Sequence, residues 1–230
     1  MDIVVNGLTK KYGDKVVLDR LDLRFREGEI TAILGKSGVG KTTLLRCVAS
    51  LTPYEGKIEG AEEGVSYVFQ EDRLIPHLTV YDNLAFTAGG GEERRRAIRE
   101  MIAAVELEKE ASRLPSTLSG GQKKRVALAR AFLSPRKVLL MDEPFASLDV
   151  GLKSRLRKVF FSLHAGFPKT VLFVTHDGEE AISFADRVLV LGEKGPVCDK
   201  RIPPDRTTRD VTSAECNEIR RKILSALEET

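Results

Sequence analysis

The sequence has no tryptophan and only three cysteines, three histidines and three methionines in 230 residues. The cysteines, Cys47, Cys198 and Cys216, are odd in number and form no CxxC pair. That argues against a disulfide framework or a zinc site and fits a reducing cytosol. His77, His164 and His176 show no metal-ligand spacing. No window approaches the roughly 18 apolar residues that a bilayer span requires. The start, "MDIVVNGLTKKYG", lacks the apolar stretch of a secretory leader. The chain ends soon after its last predicted helix, and no added regulatory domain is expected. Any membrane-spanning part is therefore expected on another chain. An excess of one charge is also missing: 37 basic residues face 34 acidic ones, a net charge of +3. This is too mild for a nucleic-acid partner, which would call for a clustered basic stripe. The basic residues are interleaved with acids, as in "EERRRAIRE" (92–100), and read as a solvated helix with i,i+4 pairs.

What the chain does have is an apolar fraction of 42%, enough for a sizeable core in one α/β domain or in a core with a small inserted lobe. In "VVLDRLDLRF" (16–25), Leu21, Leu23 and Phe25 alternate, which predicts a half-exposed antiparallel strand. Short β-rich runs follow at 29–35, 65–69, 137–142, 170–176 and 187–192. The middle and later runs are apolar on both faces, the pattern of parallel strands covered by helices. Helices are predicted at about 41–51, 92–106, 121–133, 151–164, 178–184 and 214–228. The stretch from about 72 to 135 contains no convincing strand and reads as an inserted helical lobe. "AGGG" (88–91) is a flexible turn within it.

"GKSGVGKTT" (35–43) fits G-x-x-x-x-G-K-[ST] and lies between a predicted strand and a predicted helix. The glycines, Gly35, Gly38 and Gly40, let the backbone curl so that N–H groups converge on phosphate oxygens, and Lys36, Ser37, Val39 and Thr43 are expected to bind the nucleotide with them. The helix N-terminus adds partial positive charge. Lys41 is expected on the β- and γ-phosphates and Thr42 on Mg²⁺. The motif implies a nucleotide and leaves open what that nucleotide drives.

"VLLMDEP" (138–144) ejects Asp142 and Glu143 at the carboxyl end of a buried run, where open α/β sheets bind ligands. Asp142 is expected in the Mg²⁺ shell. Glu143 is expected beside the attacking water as general base. Gln70 ends the run 65–69 and could contact Mg²⁺ and water without adding charge. His176 ends the run 170–175 and could reach the γ-phosphate and steady both the water and Glu143.

A second anion-type element, "LSGGQ" (118–122), stands at the mouth of another predicted helix. Read alone it is a serine-capped helix start. In combination the motifs resemble a known family: "GKSGVGKTT", Gln70, "LSGGQ", "LMDEP", "SLD" (147–149) and His176 occur in the order and spacing of ATP-binding-cassette ATPases, over essentially the whole chain. That resemblance implies a P-loop NTPase core of RecA-like type with a mostly parallel sheet, an N-terminal antiparallel β portion and an inserted α-helical lobe. The whole of 1–230 would then be one cassette, with 1–71 and 136–230 as the nucleotide-binding core and about 72–135 as the helical subdomain. It implies ATP and Mg²⁺ as cofactors. Tyr12 would stack on adenine. Two cassettes would pair head to tail. Ser119, Gly120 and Gly121, with Gln122 completing the nucleotide-binding motif, would close over the γ-phosphate held by the partner, and Asp149 would lie at the seam.

The resemblance further implies a membrane permease gripped near "EDRLIPHLTVYDNLAF" (71–86), just after Gln70, and an extracytoplasmic substrate-binding protein acting indirectly. The chain would sit peripherally on the cytoplasmic side of the membrane. The finer similarity, in "FQEDRLIPHLTVYDNLAF" and the tail "RTTRDVTSAECNEIRRKILSAL", is to importer ATPases of the nitrate, sulfonate, taurine and thiamine-precursor group. The lobe between "DNLAF" and "LSGGQ" is shorter than that group's pattern. Two other readings stay open. One is a soluble cassette in iron–sulfur assembly, cell division or repair, although long coiled-coil insertions and a second cassette are absent from this sequence. The other is a metabolic kinase, in which "LSGGQ" would have no use.

Overall fold

The computed structural model describes residues 1–88, 91–146, 148–203 and 209–229, except for the side chain of Ala88. The glycines of the predicted turn at 89–90, Ser147 of "SLD" and residues 206–208 of the tail lie outside the described residues.

The chain opens with an antiparallel sheet. Strand β1 (Ile3–Tyr12) pairs with β2 (Lys15–Phe25) on one side and with β4 (Glu55–Glu59) on the other. Alternation in β2 buries Leu21, Leu23 and Phe25 as expected.

The second sheet has the order β5-β6-β7-β3-β8-β9. Its strands are β3 (Ile30–Leu34), β5 (Val65–Val68), β6 (Val138–Asp142), β7 (Thr170–Val174), β8 (Arg187–Gly192) and β9 (Gly195–Arg201). All neighbours run parallel except β8 and β9.

The period of two explains why these strands are apolar throughout. Leu139, Met141, Val171, Phe173, Val188 and Val190 join one buried cluster, while Val138, Leu140, Leu172, Val174, Leu189 and Leu191 join the other. The sheet is therefore a middle layer with a core on each face. One core lies against the antiparallel sheet and helix α1 (Lys41–Val48). The other lies against α4 (Gly120–Leu133), α5 (Val150–Gly166), α6 (Gly178–Phe184) and α7 (Ala214–Glu228). Each fully buried Leu, Val or Phe contributes roughly 1.5–3 kcal/mol.

Helices α2 (Val80–Ala88) and α3 (Glu92–Ala104) lie between β5 and α4 in the chain. Among the described residues of 72–135 there is no strand. Leu84, Ile98 and Met101 join the same buried cluster as Phe145 and Phe160. The parallel strands bring the carboxyl ends of β3, β6 and β7 to one edge of the sheet, and the site is built there.

Candidate functional site

The turn after β3 runs straight into α1. Its last residue, Gly40, is the N-cap, with φ 108° and no side-chain cap. A Cβ at Gly40 would stand 2.7 Å from Leu18 Cδ2, so both the left-handed backbone and the packing demand glycine. The first turn closes with Leu44 N–H donating to Gly40 O at 2.8 Å. The amides of Lys41, Thr42 and Thr43 precede the first intrahelical acceptor and point out of the helix start. Lys41 is buried, and its ammonium donates to Gly35 O at 2.7 Å and Lys36 O at 2.9 Å. Burial pulls its pKa below the usual lysine range, while the charges of Glu143 and Asp142 pull it back up. Val39 N–H donates to Lys36 O at 3.3 Å within the same loop.

Thr42 crosses to the end of β6, where its hydroxyl donates to Asp142 Oδ1 at 3.0 Å. The other carboxylate oxygen accepts Tyr67 O–H at 3.5 Å. Burial pushes the Asp142 carboxyl up, the Thr42 hydrogen bond opposes that, and the neighbouring Glu143 charge adds to it. Glu143 takes a left-handed turn with φ 45°, and its N–H donates to Val174 O at 3.0 Å. Such a backbone costs a non-glycine residue on the order of 1–2 kcal/mol. The anchor that holds it is Phe145, fully buried and stacked on Phe184 with ring centroids 4.0 Å apart. The turn aims Glu143 at His176, with Oε1 3.5 Å from Nδ1.

Ser37, Gly38, Gly40, Lys41, Thr42, Thr43, Glu143 and His176 line one cavity of about 430 Å³. It joins backbone amides, one ammonium, one carboxylate and one imidazole around a space suited to a polyphosphate end.

Other expected residues lie elsewhere. Tyr12 ends β1 opposite Lys15, is 47% exposed, and has Lys10 Nζ 4.6 Å from its ring centroid. It does not line the cavity. Gln70 lies beyond the end of β5, is exposed, and is also outside the lining. Its carbonyl accepts Lys124 Nζ at 3.3 Å, and Lys124 pairs with Asp72 at 3.0 Å.

Ser119 caps α4. Its hydroxyl accepts Gln122 N–H at 3.3 Å, and Gln122 Oε1 accepts Ser119 N–H at 2.9 Å. This reciprocal box uses the N-cap and third amides and leaves those of Gly120 and Gly121 without an intrahelical acceptor. Ser119, Gly121, Gln122 and Asp149 line a second cavity, of about 490 Å³, that shares no residue with the first. Asp149 caps α5 by accepting Leu152 N–H at 2.9 Å.

Sequence reasoning did not single out Tyr67 beside Asp142 or the cluster behind His176 described below. For Tyr67 the available signal was its alternation with Ser66 and Val68 along β5, which puts it on the face of the sheet that α1 covers. The contact between Lys153 and Glu180 left no signal in sequence spacing.

Comparison with known proteins follows the same lines. The family described as ABC transporter matches residues 18–146. The sulfate/thiosulfate import ATP-binding protein CysA of Bradyrhizobium diazoefficiens is 42% identical, over 89% of this chain and 65% of its own length. CysA 2 of Shewanella oneidensis is 38% identical, over 89% of this chain and 63% of its own. The chain thus spans a little under two thirds of the curated relatives it matches. Among solved structures, the dimeric MJ0796, a bacterial ABC transporter cassette, superposes with a TM-score of 0.74 at 31% identity, covering 88% of this chain and 99% of that one. Its dimeric post-hydrolysis state bound to ADP and Pi gives 0.72 at 31% identity. The expected kinship with nitrate-, sulfonate- and taurine-type importer ATPases holds only loosely, because these relatives are named for sulfate and thiosulfate. That finer expectation rested on the stretch after Gln70 and on the tail, neither of which lines the phosphate-loop cavity.

Proposed function

The chain belongs to the ABC transporter ATPase family, and on that premise we propose that it binds and hydrolyses ATP as one half of a cassette pair that powers solute import through a separate permease. One observation carries the paired arrangement. The phosphate-loop cavity and the Ser119–Gln122 cavity share no lining residue within a chain. In our reading the two act on one nucleotide when a second chain brings its own α4 start to the first chain's phosphate loop, as in a cassette pair.

In this reading 1–71 and 136–230 form the nucleotide-binding core, and about 72–135 form the helical lobe. The amides at the start of α1 and the Lys41 ammonium bind the β- and γ-phosphates. Glu143 accepts a proton from the attacking water as the new O–Pγ bond forms and the bond to ADP breaks. His176 steadies Glu143 and the γ-phosphate. The partner's Gly120 and Gly121 amides neutralise the exposed side of the γ-phosphate. Tyr12 supplies an exposed ring for the adenine. The oxygen donors Thr42 and Asp142, already in contact at 3.0 Å, suit a hard divalent cation such as Mg²⁺, with Gln70 as a further oxygen donor. When bound, that cation supplies charge neutralisation for the phosphates.

Residues 71–86, just after Gln70, would meet the permease on the cytoplasmic side of the membrane, with an extracytoplasmic binding protein engaged indirectly. The relatives' names make sulfate and thiosulfate the first solutes to try. Among the described residues no helix is long and apolar enough to cross a membrane, so a separate spanning chain is part of the proposal. The test is ATPase rate per molecule across a dilution series. A fall on dilution is expected, and a rate independent of concentration at all dilutions would remove the pair. Copurification with a cytosolic scaffold instead of a multispan protein would favour the soluble alternative.

A further inference from the structure

Behind His176 lies a buried polar cluster with no direct place in the phosphate chemistry. Thr175 is 1% exposed, and its hydroxyl donates to Glu180 Oε2 at 2.6 Å while accepting Asp177 N–H at 3.0 Å. Glu180, on α6, is 4% exposed, and its Oε1 lies 2.6 Å from Lys153 Nζ. The same ammonium reaches Asp177 Oδ2 at 3.1 Å. Lys153 belongs to α5 and stands one turn after Asp149, the residue that caps that helix. One lysine therefore grips two carboxylates that follow His176 in the chain, and one of them, Glu180, in turn holds Thr175 immediately before that histidine.

The chemistry of the cluster is closed. A buried carboxylate needs both a counter-charge and hydrogen bonds, and Glu180 has one of each on its two oxygens. Burial pulls the Lys153 pKa down, but the hydrogen bonds that its ammonium donates to Glu180 and Asp177, together with their charges, more than offset it and the pKa is raised.

The His176 ring itself is 67% exposed, so side-chain packing does little to aim it. Its aim depends on the backbone at 175–177. At 3.5 Å the contact with Glu143 is at the edge of hydrogen-bonding range, so a small shift of the turn decides whether the pair forms. We propose that Lys153 is a positioning residue for hydrolysis: through Glu180 and Thr175 it fixes the turn 175–177 and so holds the His176 ring against Glu143. This rests on the ATPase reading above.

The test uses the full chain. The double variant Lys153→Met with Glu180→Gln removes both charges of the buried pair together, and Asp177, which also loses Lys153, is 32% exposed and keeps the N–H bonds from Glu179 and Glu180. Its kcat is expected to fall at least about tenfold, with KM for ATP within about twofold, since misaimed groups cost rate more than binding. Lys153→Arg is expected to keep most of the rate. Thr175→Val, which removes only the hydroxyl, is expected to lose about threefold by the same logic. Histidine ring ¹⁵N NMR supplies a readout independent of turnover. The His176 resonance, assigned with His176→Ala, is expected to move in both variants while those of His77 and His164 stay put. Full kcat, or an unmoved His176 resonance, in the folded double variant or in Thr175→Val overturns the proposal. Should the double variant fail to fold, Thr175→Val decides. If the wild type hydrolyses no ATP, the preceding functional reading falls, while the NMR result still decides whether the cluster sets the ring.

Discussion

Two helix starts in this chain are rich in glycine and positioned for anions, yet they are finished differently. At α1 the N-cap is a left-handed glycine with no capping side chain, pressed against Leu18 and Val17. The loop wraps around its own space, and the free amides face a cavity that also holds Lys41, Glu143 and His176. At α4 the start is a completed cap, with Ser119 and Gln122 satisfying each other. Its two glycines have different reasons. A Cβ at Gly121 would stand 2.8 Å from Leu152, whereas a Cβ at Gly120 would meet nothing within 4 Å. A side chain at Gly121 would make the Leu152 methyls move aside. Gly120 meets nothing of its own chain, which is what a surface kept bare for a second molecule would look like. One start is built to enclose and the other to cover.

The sharpest break of that comparison is Glu143→Gln. It is expected to lower hydrolysis by about 10² to 10⁴ while leaving ATP binding intact, as measured by turnover and nucleotide titration. Ser119→Arg is expected to cost on the order of a hundredfold in rate with ATP affinity of the isolated chain unchanged. Unchanged turnover would mean that the α4 start covers nothing. Lys41→Ala acts on the enclosing start and is expected to weaken ATP binding about tenfold or more by isothermal titration. A matched pair of alanines then separates the two starts. Gly40→Ala is expected to destabilise the fold by about 1–3 kcal/mol in urea melts, from the positive φ and the Leu18 contact. Gly120→Ala is expected to leave stability unchanged or raised by up to about 1 kcal/mol, yet to slow hydrolysis.

The gentlest test concerns the far end of α4, where the Lys169 ammonium donates to Ser134 O at 2.8 Å and to Arg136 O. Burial pushes this lysine down to about 8. Between about pH 8 and its ordinary value near 10.5, the unfolded chain holds more protons than the folded one. Stability is therefore expected to rise with pH across that window, with a slope of about 1.4 kcal/mol per unit at most. Denaturant melts at pH 7.5 and 9.5 measure it. A flat or falling contribution, isolated against Lys169→Met, would contradict it.

The sequence displayed some of this directly. Strands β3, β6, β7 and β8 were readable because burial on both faces leaves an unbroken apolar run. The phosphate-loop and strand-end residues were readable because their spacing follows nucleotide chemistry. Strand β1 was not predicted, because its register shifts around Gly7 break the alternation. β4 and β9 were also missed, since "EGKIE" and "GPVCDKR" are largely exposed edge strands with charges, glycine and proline. Helix α2 was hidden by Asn83. That residue looks like a turn former but is fully buried, and its amide donates to Ile75 O, Leu78 O and Thr79 O. Gln70 and Tyr12 carry recognisable positions in the motif, but in a single chain they stand outside the phosphate-loop cavity. The contacts of Lys153 span 24 residues to Asp177, and no local pattern announces such a pairing.

The central claim is that one nucleotide site is assembled from two chains. Light scattering of Glu143→Gln with saturating ATP measures this directly. The molar mass is expected to double on adding ATP and to return to that of the single chain when Ser119→Arg is added. A single-chain mass at all protein concentrations, with ATP demonstrably bound, would contradict it.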